Sequence, residues 1–205
     1  DHQHLHLSPP DASPALKFYT PPRPGIVYGN ALAAVGGFGL AATRGGASLP
    51  GFVGSIVGIA LIIASACVFN NYIDRDIDSI MVRTRRRALV SGQISPRRAL
   101  IFGSLLLVLG TSLLAASSNL PSLSATLAGW VLYVVVYGYF KRHTVFGTEI
   151  GSLSGAMPPV SGYLAVTGQL DAAAVLLFAT MVLWQMPHFY AIAMFRRDDY
   201  AAAAV

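Results

Sequence analysis

The sequence predicts an all-α integral membrane protein with six transmembrane helices, and three observations support this fold class. Hydrophobic residues make up 54% of the 205 residues and charged residues only 11%, whereas soluble domains usually carry about 25% charged residues. Six stretches are long and apolar enough to cross a bilayer as helices, which takes about 20 mostly apolar residues each. Nearly all basic residues also fall in alternate loops between these stretches.

The predicted spans follow one another with short polar loops between them. They are 25–43, 51–70, 99–117, 123–140, 148–166 and 172–195. The fifth span contains Glu149 and the pair Pro158 and Pro159. Because proline lacks a backbone donor and bends a helix, we expect a kink in this span. Neighbouring helices would then satisfy the backbone groups that the kink frees.

Residues 1–20 precede the first span and contain neither a continuous apolar core nor a signal-peptide pattern. We expect them to form a disordered tail, followed by a membrane domain at 21–205. His2, His4 and His6 alternate with other residues in this tail. Metal binding by these histidines stays open as an alternative.

The positions of the basic residues predict the orientation of the helices in the membrane. Every Lys and Arg except Arg44 lies in the N-terminal segment, in the loop after the second or the fourth span, or after the sixth span. Loops rich in Lys and Arg stay in the cytoplasm. We therefore expect a protein of the cytoplasmic (inner) membrane with its N-terminus in the cytoplasm. This topology accounts for the net charge of +5. The positive charge is therefore not a reason to expect nucleic-acid binding.

The stretch NNYIDRDIDSIMVRTRRRALVSG, at 70–92, gathers acidic and basic residues where the second span ends. Asn70, Asp74 and Asp78 are spaced by four, so on a helix they share one face, and Asp76 points away from it. Carboxylate and amide oxygens suit Mg²⁺, and the guanidinium groups that follow suit phosphate. Those groups belong to Arg83, Arg85, Arg86 and Arg87. The stretch therefore predicts a site for Mg²⁺ and a diphosphate, with a solvated charged loop as the alternative.

The same stretch, extended to NNYIDRDIDSIMVRTRRRALVSGQISP, closely resembles the first aspartate-rich motif of the intramembrane prenyltransferase superfamily that includes 4-hydroxybenzoate polyprenyltransferase. Three other stretches resemble the branch of that superfamily that farnesylates haem. They are RPGIVYGN at 23–30, KRHTVFGTEIGSLSGAMPPVSGYLAVTG at 141–168 and LWQMPHFYAIAMFRRDDYAAA at 183–203. The resemblance covers about residues 20–205, and it departs from the family pattern at Ala88, where the family usually has Pro.

The resemblance implies a bundle of about nine helices, of which this sequence would supply six. About three further spans would follow Val205, and the 205-residue chain alone would then catalyse little. The implied reaction transfers a farnesyl group from farnesyl diphosphate to a vinyl group of haem b, with Mg²⁺ as cofactor, and yields haem O. Alternatives are another membrane prenyltransferase with a quinone or 4-hydroxybenzoate type of acceptor and, less favoured, a transporter of anionic lipids. The oligomeric state is not predicted.

The resemblance also suggests roles for single residues near the diphosphate. Asp199 and Tyr200 match a second, shorter acidic motif, in which Asp199 would bind a second Mg²⁺ and Tyr200 would contact substrate. Lys141 and Arg142 match a basic loop near the diphosphate and would take part in catalysis. A plain topology anchor is the alternative for this basic pair.

Five further side chains are candidates for substrate binding. They are Asn30, Tyr133, Tyr137, His143 and His188. The two tyrosines could stabilise a carbocation or belong to an ordinary interfacial belt. His143 could orient haem or move a proton. His188 could ligate haem iron or only bond a backbone carbonyl, and Asn30 could line a cavity or bond a neighbouring helix.

Overall fold

The computed structural model describes residues 24–80, 84, 87–144 and 146–195, and every regular element in these ranges is helical. The predicted all-α fold is therefore confirmed, and the predicted tail at 1–20 lies outside the described residues. The elements are α1 (Pro24–Ala42), α2 (Leu49–Ile73), α3 (Arg75–Ile80), α4 (Pro96–Ser117), α5 (Leu120–Val131), a π-helical segment (Leu132–Tyr137), α6 (Gly138–His143), α7 (Gly147–Gly155), α8 (Met157–Thr167) and α9 (Ala172–Phe195).

Five helical stretches of the described chain are long and apolar enough to cross a membrane. They are Pro24–Ala42, Leu49–Ile73, Pro96–Ser117, Leu120–His143 and Ala172–Ile192. They correspond to five of the six predicted spans, and the fourth joins α5, the π-helical segment and α6 into one rod. The predicted span at 148–166 consists instead of α7 and α8, which meet end to end.

The break between α7 and α8 falls at Ala156, two residues before the first of two consecutive prolines. Pro158 and Pro159 have no N–H for the carbonyls four residues earlier, so the α-helical hydrogen bonds cannot continue through this point. Irregular backbone at membrane depth is tolerated where it is covered by protein or lines a cavity. The kink expected from the sequence is thus a break between two helices.

Three of the helices begin with the same local arrangement. Ser48, Ser95 and Asn119 precede α2, α4 and α5, and each side chain accepts a hydrogen bond from the N–H three residues later, at 3.0–3.3 Å. A proline stands in the first two positions of each helix. Its missing N–H costs nothing there, because the first N–H groups of a helix have no partner within it. Local sequence therefore determines where these helices start.

Small residues allow α1 and α8 to approach each other closely. A Cβ atom on Gly37 would lie 1.9 Å from the carbonyl oxygen of Pro159, and one on Gly162 would lie 2.0 Å from that of Ala34. Either position therefore excludes any residue with a side chain unless the helices move apart. Close backbone contact at glycine is the usual way in which helices associate in lipid.

Large apolar side chains cover the outside of the bundle. Val108, Leu183 and Phe195 are 62%, 69% and 91% exposed, and similar residues occur along α1, α2 and α4. Exposed apolar surface on this scale marks a protein whose solvent is not water. Together with the five apolar spans, it identifies an integral membrane protein.

Candidate active site

Polar and charged side chains of different helices meet at the two ends of the bundle. At one end Lys141 and Arg142 of α6 contact Asp74 and Asp76, which follow α2. We call this end the motif rim, and it comprises the end of α2, α3, the described residues 84 and 87–95 before α4, and residues 144 and 146 between α6 and α7. The other end, where α1 ends and α9 begins, is the opposite rim. Arg44 and Asp171 pair there at 3.0 Å.

Asn70, Asp74 and Asp78 lie on one buried face at the motif rim, with 1%, 7% and 4% of their surface exposed. Helix α2 ends just before Asp74 and α3 begins just after it, but the helical backbone hydrogen bonds continue through Asp74. The N–H of Asp74 donates to the carbonyl of Asn70 at 2.9 Å, and that of Asp78 donates to the carbonyl of Asp74 at 2.8 Å. This continuous register keeps the three side chains in line.

Lys141 joins two of these side chains from α6. Its Nζ donates to Asn70 Oδ1 at 2.8 Å and lies 2.6 Å from each carboxylate oxygen of Asp74. The Asn70 amide also donates to Asp74 at 2.9 Å. Nζ lies 4.9 Å from the centre of the Tyr137 ring, within the range of a cation–π contact. The oxygens of Asn70 and Asp74 thus surround a positive charge.

Arg87 holds the third member of the face. Its guanidinium donates to the Asp78 carboxylate, and its backbone N–H donates to the carbonyl of Thr84 at 3.0 Å. The buried Thr84 hydroxyl in turn donates to the carbonyl of Asp78 at 3.0 Å. Ala88 accepts a bond from the N–H of Ile94 at 3.1 Å, so the loop turns back directly after Arg87. The loop therefore presents Arg87 to Asp78 with alanine at the position where the family usually has proline.

Arg142 forms a second layer outside this face. It donates to both carboxylate oxygens of Asp76, at 2.8 and 2.7 Å, and to the carbonyl of Ile73 at the end of α2. The same guanidinium lies 3.8 Å from Asp74. The hydrogen bonds from Arg142 hold the pKa of Asp76 well below its usual range. Asp76 is off the motif face, as the helical spacing predicts, but it has a partner that the spacing did not reveal.

A cavity of 1730 Å³ runs from the motif rim into the bundle. Of the predicted site residues, six line it: Asn30, Arg87, Tyr133, Tyr137, Lys141 and His188. Asn70, Asp74 and Asp78 are outside its lining, behind Lys141 and Arg87, which bond to them. The cations therefore stand between the cavity and the carboxylates.

The aromatic and histidine candidates divide between the cavity and the protein surface. Tyr133 and Tyr137 stack at 5.6 Å in the π-helical segment and face the cavity. His188 also lines the cavity and stacks on Trp184 at 5.6 Å. His143 is exposed, stacks on Tyr139 and contacts its carbonyl at 2.8 Å, so it lies away from the cavity lining.

Other observations concern the remaining predicted site residues and the predicted metal site. The amide nitrogen of Asn30 donates to the carbonyl of Ile26 at 2.8 Å in its own helix, and Asn30 lines the cavity. Arg83, Asp199 and Tyr200 lie outside the described residues. Within the described ranges, no three His, Cys, Asp or Glu side chains form a cluster that could hold a metal ion by themselves.

Residues 30–205 match the model of the UbiA prenyltransferase family. The chain belongs to this family. The resemblance inferred from the motifs is therefore confirmed, and the acidic face at the end of α2 is that of a family member.

Curated relatives are similar over most of the chain. Proteins named protoheme IX farnesyltransferase from Photorhabdus laumondii, Yersinia pseudotuberculosis and Cronobacter sakazakii are each 52% identical over 184 residues. These alignments cover 89% of this chain and 62% of each relative. The chain thus spans less than two thirds of the length of the relatives it matches.

Solved structures share the fold at lower identity. A UbiA homologue from Archaeoglobus fulgidus, bound to DMAPP and Mg²⁺, superimposes with a TM-score of 0.78 at 22% identity and covers 91% of this chain and 66% of its own. The apo structure of a UbiA homologue from Aeropyrum pernix gives a TM-score of 0.67 at 21% identity, with 88% and 67% covered. The arrangement of helices described above is therefore the UbiA fold.

Proposed function

We propose that this protein transfers a farnesyl group from farnesyl diphosphate to a vinyl group of haem b, which gives haem O. The observation that carries the proposal is the position of Lys141 and Arg87, which line the cavity and bond to Asp74 and Asp78. An anionic head group in the cavity would meet both cations. The names of the relatives at 52% identity support haem as the acceptor.

The donor set of the motif face fits Mg²⁺. Asn70, Asp74 and Asp78 offer oxygen atoms, which are the ligands this ion prefers. Those of Asn70 and Asp74 already converge on the Lys141 ammonium at 2.6–2.8 Å, so they can gather round a cation. The Archaeoglobus homologue, bound to Mg²⁺ and DMAPP, supports a metal here. Bound Mg²⁺ would neutralise the diphosphate leaving group, and Asp199 would add a ligand from the second motif.

The basic residues of the motif rim bind the diphosphate in this proposal. Lys141 contributes a compact charge, and the guanidinium groups of Arg83 and Arg87 contribute paired donors. Arg142 lies behind Lys141 and is held by Asp76. Charge that develops on the leaving oxygen is therefore met by groups already in place, and such preorganised groups are usually a large part of catalysis.

Departure of the diphosphate leaves an allylic carbocation inside the cavity. The stacked rings of Tyr133 and Tyr137 face this space, and an aromatic face stabilises a nearby cation by about 0.5–2 kcal/mol. The vinyl group of haem b attacks the cation and forms the new carbon–carbon bond. Water then adds to the carbocation that results and gives the hydroxyl of the product.

The acceptor would lie deeper in the cavity than the diphosphate. Asn30 and His188 line the cavity and would contact the porphyrin, while Tyr200 would contact substrate from the second acidic motif. The cavity volume of 1730 Å³ exceeds the roughly 300–1,000 Å³ of most ligand pockets. It is therefore large enough for two bulky substrates.

The motif rim would face the cytoplasm of the cytoplasmic membrane. The basic residues concentrate at this rim, whereas Arg44 is at the other, and positively charged loops remain inside. A farnesyl diphosphate molecule would then enter with its tail in the bilayer and its head group at the rim.

Membranes that contain the protein expressed from its gene should convert haem b and farnesyl diphosphate to haem O when Mg²⁺ is present. Mass spectrometry of extracted haem measures the product, and chelation of the metal is the control, which should abolish the reaction. A farnesylated 4-hydroxybenzoate or quinone precursor, with haem unchanged, would instead show the aromatic-acceptor alternative. Binding without release of diphosphate would indicate a transporter.

A further inference from the structure

Gln185 lies in the middle of α9, where an uncompensated polar group is costly. It is 7% exposed and lines the cavity. Its Oε1 atom is fully buried and has no hydrogen-bond partner among the residues that the structure describes. Leaving a buried acceptor unsatisfied costs on the order of 1–3 kcal/mol. A polar side chain retained under these conditions indicates a ligand.

The backbone opposite Gln185 is shaped to receive this amide. A Cβ atom on Gly155 would lie 2.3 Å from Oε1, so the side chain occupies space that only glycine leaves. Gly155 ends α7, and Pro159 has no N–H for its carbonyl. Both Gly155 and Gln185 line the cavity. Acceptor oxygens are therefore concentrated at the break between α7 and α8, in a wall that otherwise includes Met157 and Met181.

Acceptor oxygens select a ligand that brings its own O–H or N–H groups. Neither the farnesyl chain nor the haem vinyl group has one, whereas water has two. A water molecule that donates its hydrogens to protein oxygens keeps a lone pair for other contacts, and two to four polar partners suffice to hold it in a buried place. The site thus suits a water that is presented as a nucleophile.

We infer that Gln185 positions the water that captures the final carbocation, an inference that rests on the proposed haem farnesylation. The water oxygen forms the new C–O bond with the cationic carbon beside the porphyrin. The oxygen then loses one proton to the imidazole of His188, which lies three residues further along α9. Gln185 itself neither gains nor loses a proton; it orients the water.

The depth of Gln185 separates this water from the first carbocation. Gln185 precedes the end of α9 at Phe195 by ten residues, which corresponds to about 15 Å of helix. The diphosphate leaves near the motif rim, where Lys141 lies. Water held away from that rim does not meet the allylic cation before the vinyl group does, and exclusion of water at that stage protects the intermediate.

The test uses Gln185→Leu, which removes the acceptor, and Gln185→Glu, which keeps acceptor oxygens. Without a positioned water, the final cation loses a proton and the product lacks one water. We expect Gln185→Leu to lower the ratio of hydroxylated to dehydrated product about tenfold, as for loss of one hydrogen bond. Diphosphate release should change far less, and Gln185→Glu should restore the ratio. Mass spectrometry in heavy-oxygen water measures both products and the origin of the hydroxyl.

Two further variants control this experiment. Gly155→Ala should push the amide aside and lower the ratio as Gln185→Leu does. Gln169→Leu changes an exposed glutamine in the loop before α9 and should leave product and rate unchanged. A wild-type ratio from Gln185→Leu, or an equal fall of both products with no change in ratio, would overturn the inference while farnesyl transfer stands. If the wild-type protein makes no farnesylated haem, the proposed function fails as well.

Discussion

The two rims of the bundle both carry acid–base pairs, but they differ in what the pairs face. At the opposite rim Arg44 donates to the Tyr163 hydroxyl at 2.8 Å and to Asp171 at 3.0 Å, and Tyr163 donates to Asp171 at 2.8 Å. The three groups satisfy one another, and all three lie outside the lining of the cavity. At the motif rim, Lys141 and Arg87 bond to carboxylates and also line the cavity.

This difference shows that a charged pair at the end of a membrane helix is not by itself a functional signal. The triad of Arg44, Tyr163 and Asp171 joins the end of α1 to the loop before α9 and is complete within the protein. The motif rim places two cations, and the acids behind them, beside a space large enough for substrate. In the proposed function, the rim that lines the cavity acts in catalysis and the opposite rim supports the fold. Matched changes at the two rims test this difference.

Thiol labelling of single cysteines should show on which side of the membrane each rim lies, and we expect an all-or-none result. Single cysteines at Ser79→Cys on the motif rim and Ala47→Cys on the opposite rim are compared, both at exposed positions. A background with Cys67→Ser removes the native thiol. An impermeant thiol reagent added outside intact cells should label position 47 and spare position 79. The reverse labelling would contradict the proposed orientation.

Loss of a carboxylate charge should affect the two rims very differently. We expect Asp74→Asn and Asp78→Asn each to lower turnover by at least about 10²–10³-fold, the cost of removing one preorganised electrostatic group. Asp171→Asn is the matched change at the opposite rim and should keep near wild-type turnover with a lower thermal midpoint. Release of diphosphate and thermal unfolding in detergent measure the two effects. Equal losses of turnover at both rims would refute the distinction.

Asp76→Asn should have an intermediate effect. The helical spacing alone predicts a much smaller loss than at Asp74, because Asp76 is off the motif face; its side chain is also 63% exposed. Its two hydrogen bonds to Arg142 change this expectation. Supporting residues of a metal site typically cost 10- to 100-fold when changed, and for this exposed pair we expect about tenfold. Asp76→Glu should recover part of the loss, and a variant as inactive as Asp74→Asn would show that Asp76 acts directly.

The smallest expected effect is on the thermal stability of the protein at acidic pH. The Arg142 bonds lower the pKa of Asp76, and the N–H of Ala174 lowers that of Asp171. A lowered carboxyl pKa stabilises the folded state above the ordinary value of about 3.9, and this stabilisation is lost as the pH falls through the lowered value. The thermal midpoints of wild type and Asp76→Asn should therefore differ by a constant amount between pH 8 and pH 5, begin to converge below about pH 4, and meet only below the lowered pKa of Asp76. Convergence near neutral pH would contradict the assignment.

The features that could be predicted from the sequence are those determined by residues close together in the chain. Apolar stretches and proline-containing first turns define the spans, and the spacing of Asn70, Asp74 and Asp78 placed them on one face because the helical hydrogen bonds continue through Asp74. Pro158 and Pro159 indicated the interrupted span. Each of these features follows from residues within a single continuous stretch of the chain.

The sequence did not predict the contacts between distant parts of the chain. Arg142 reaches Asp76 across 66 residues, and Arg44 reaches Tyr163 across 119. Neither spacing carries a periodic signal, so only the packing of helices brings these groups together. Gln185 did leave a signal, as a lone amide in an apolar span, but its meaning depends on Gly155 in another helix.

The π-helical segment at Leu132–Tyr137 sets the direction in which Lys141 points. A π-helical turn holds one residue more than an α-helical turn. Regular α-helical bonding over the same residues would therefore rotate everything beyond the segment by about 100° and shift it by about 1.5 Å. Lys141 would then turn away from Asn70 and Asp74, although no residue of the motif rim had changed. Removing one residue from inside the segment should restore α-helical bonding and leave Lys141 in place, whereas removing one from α5 should misdirect the whole basic end.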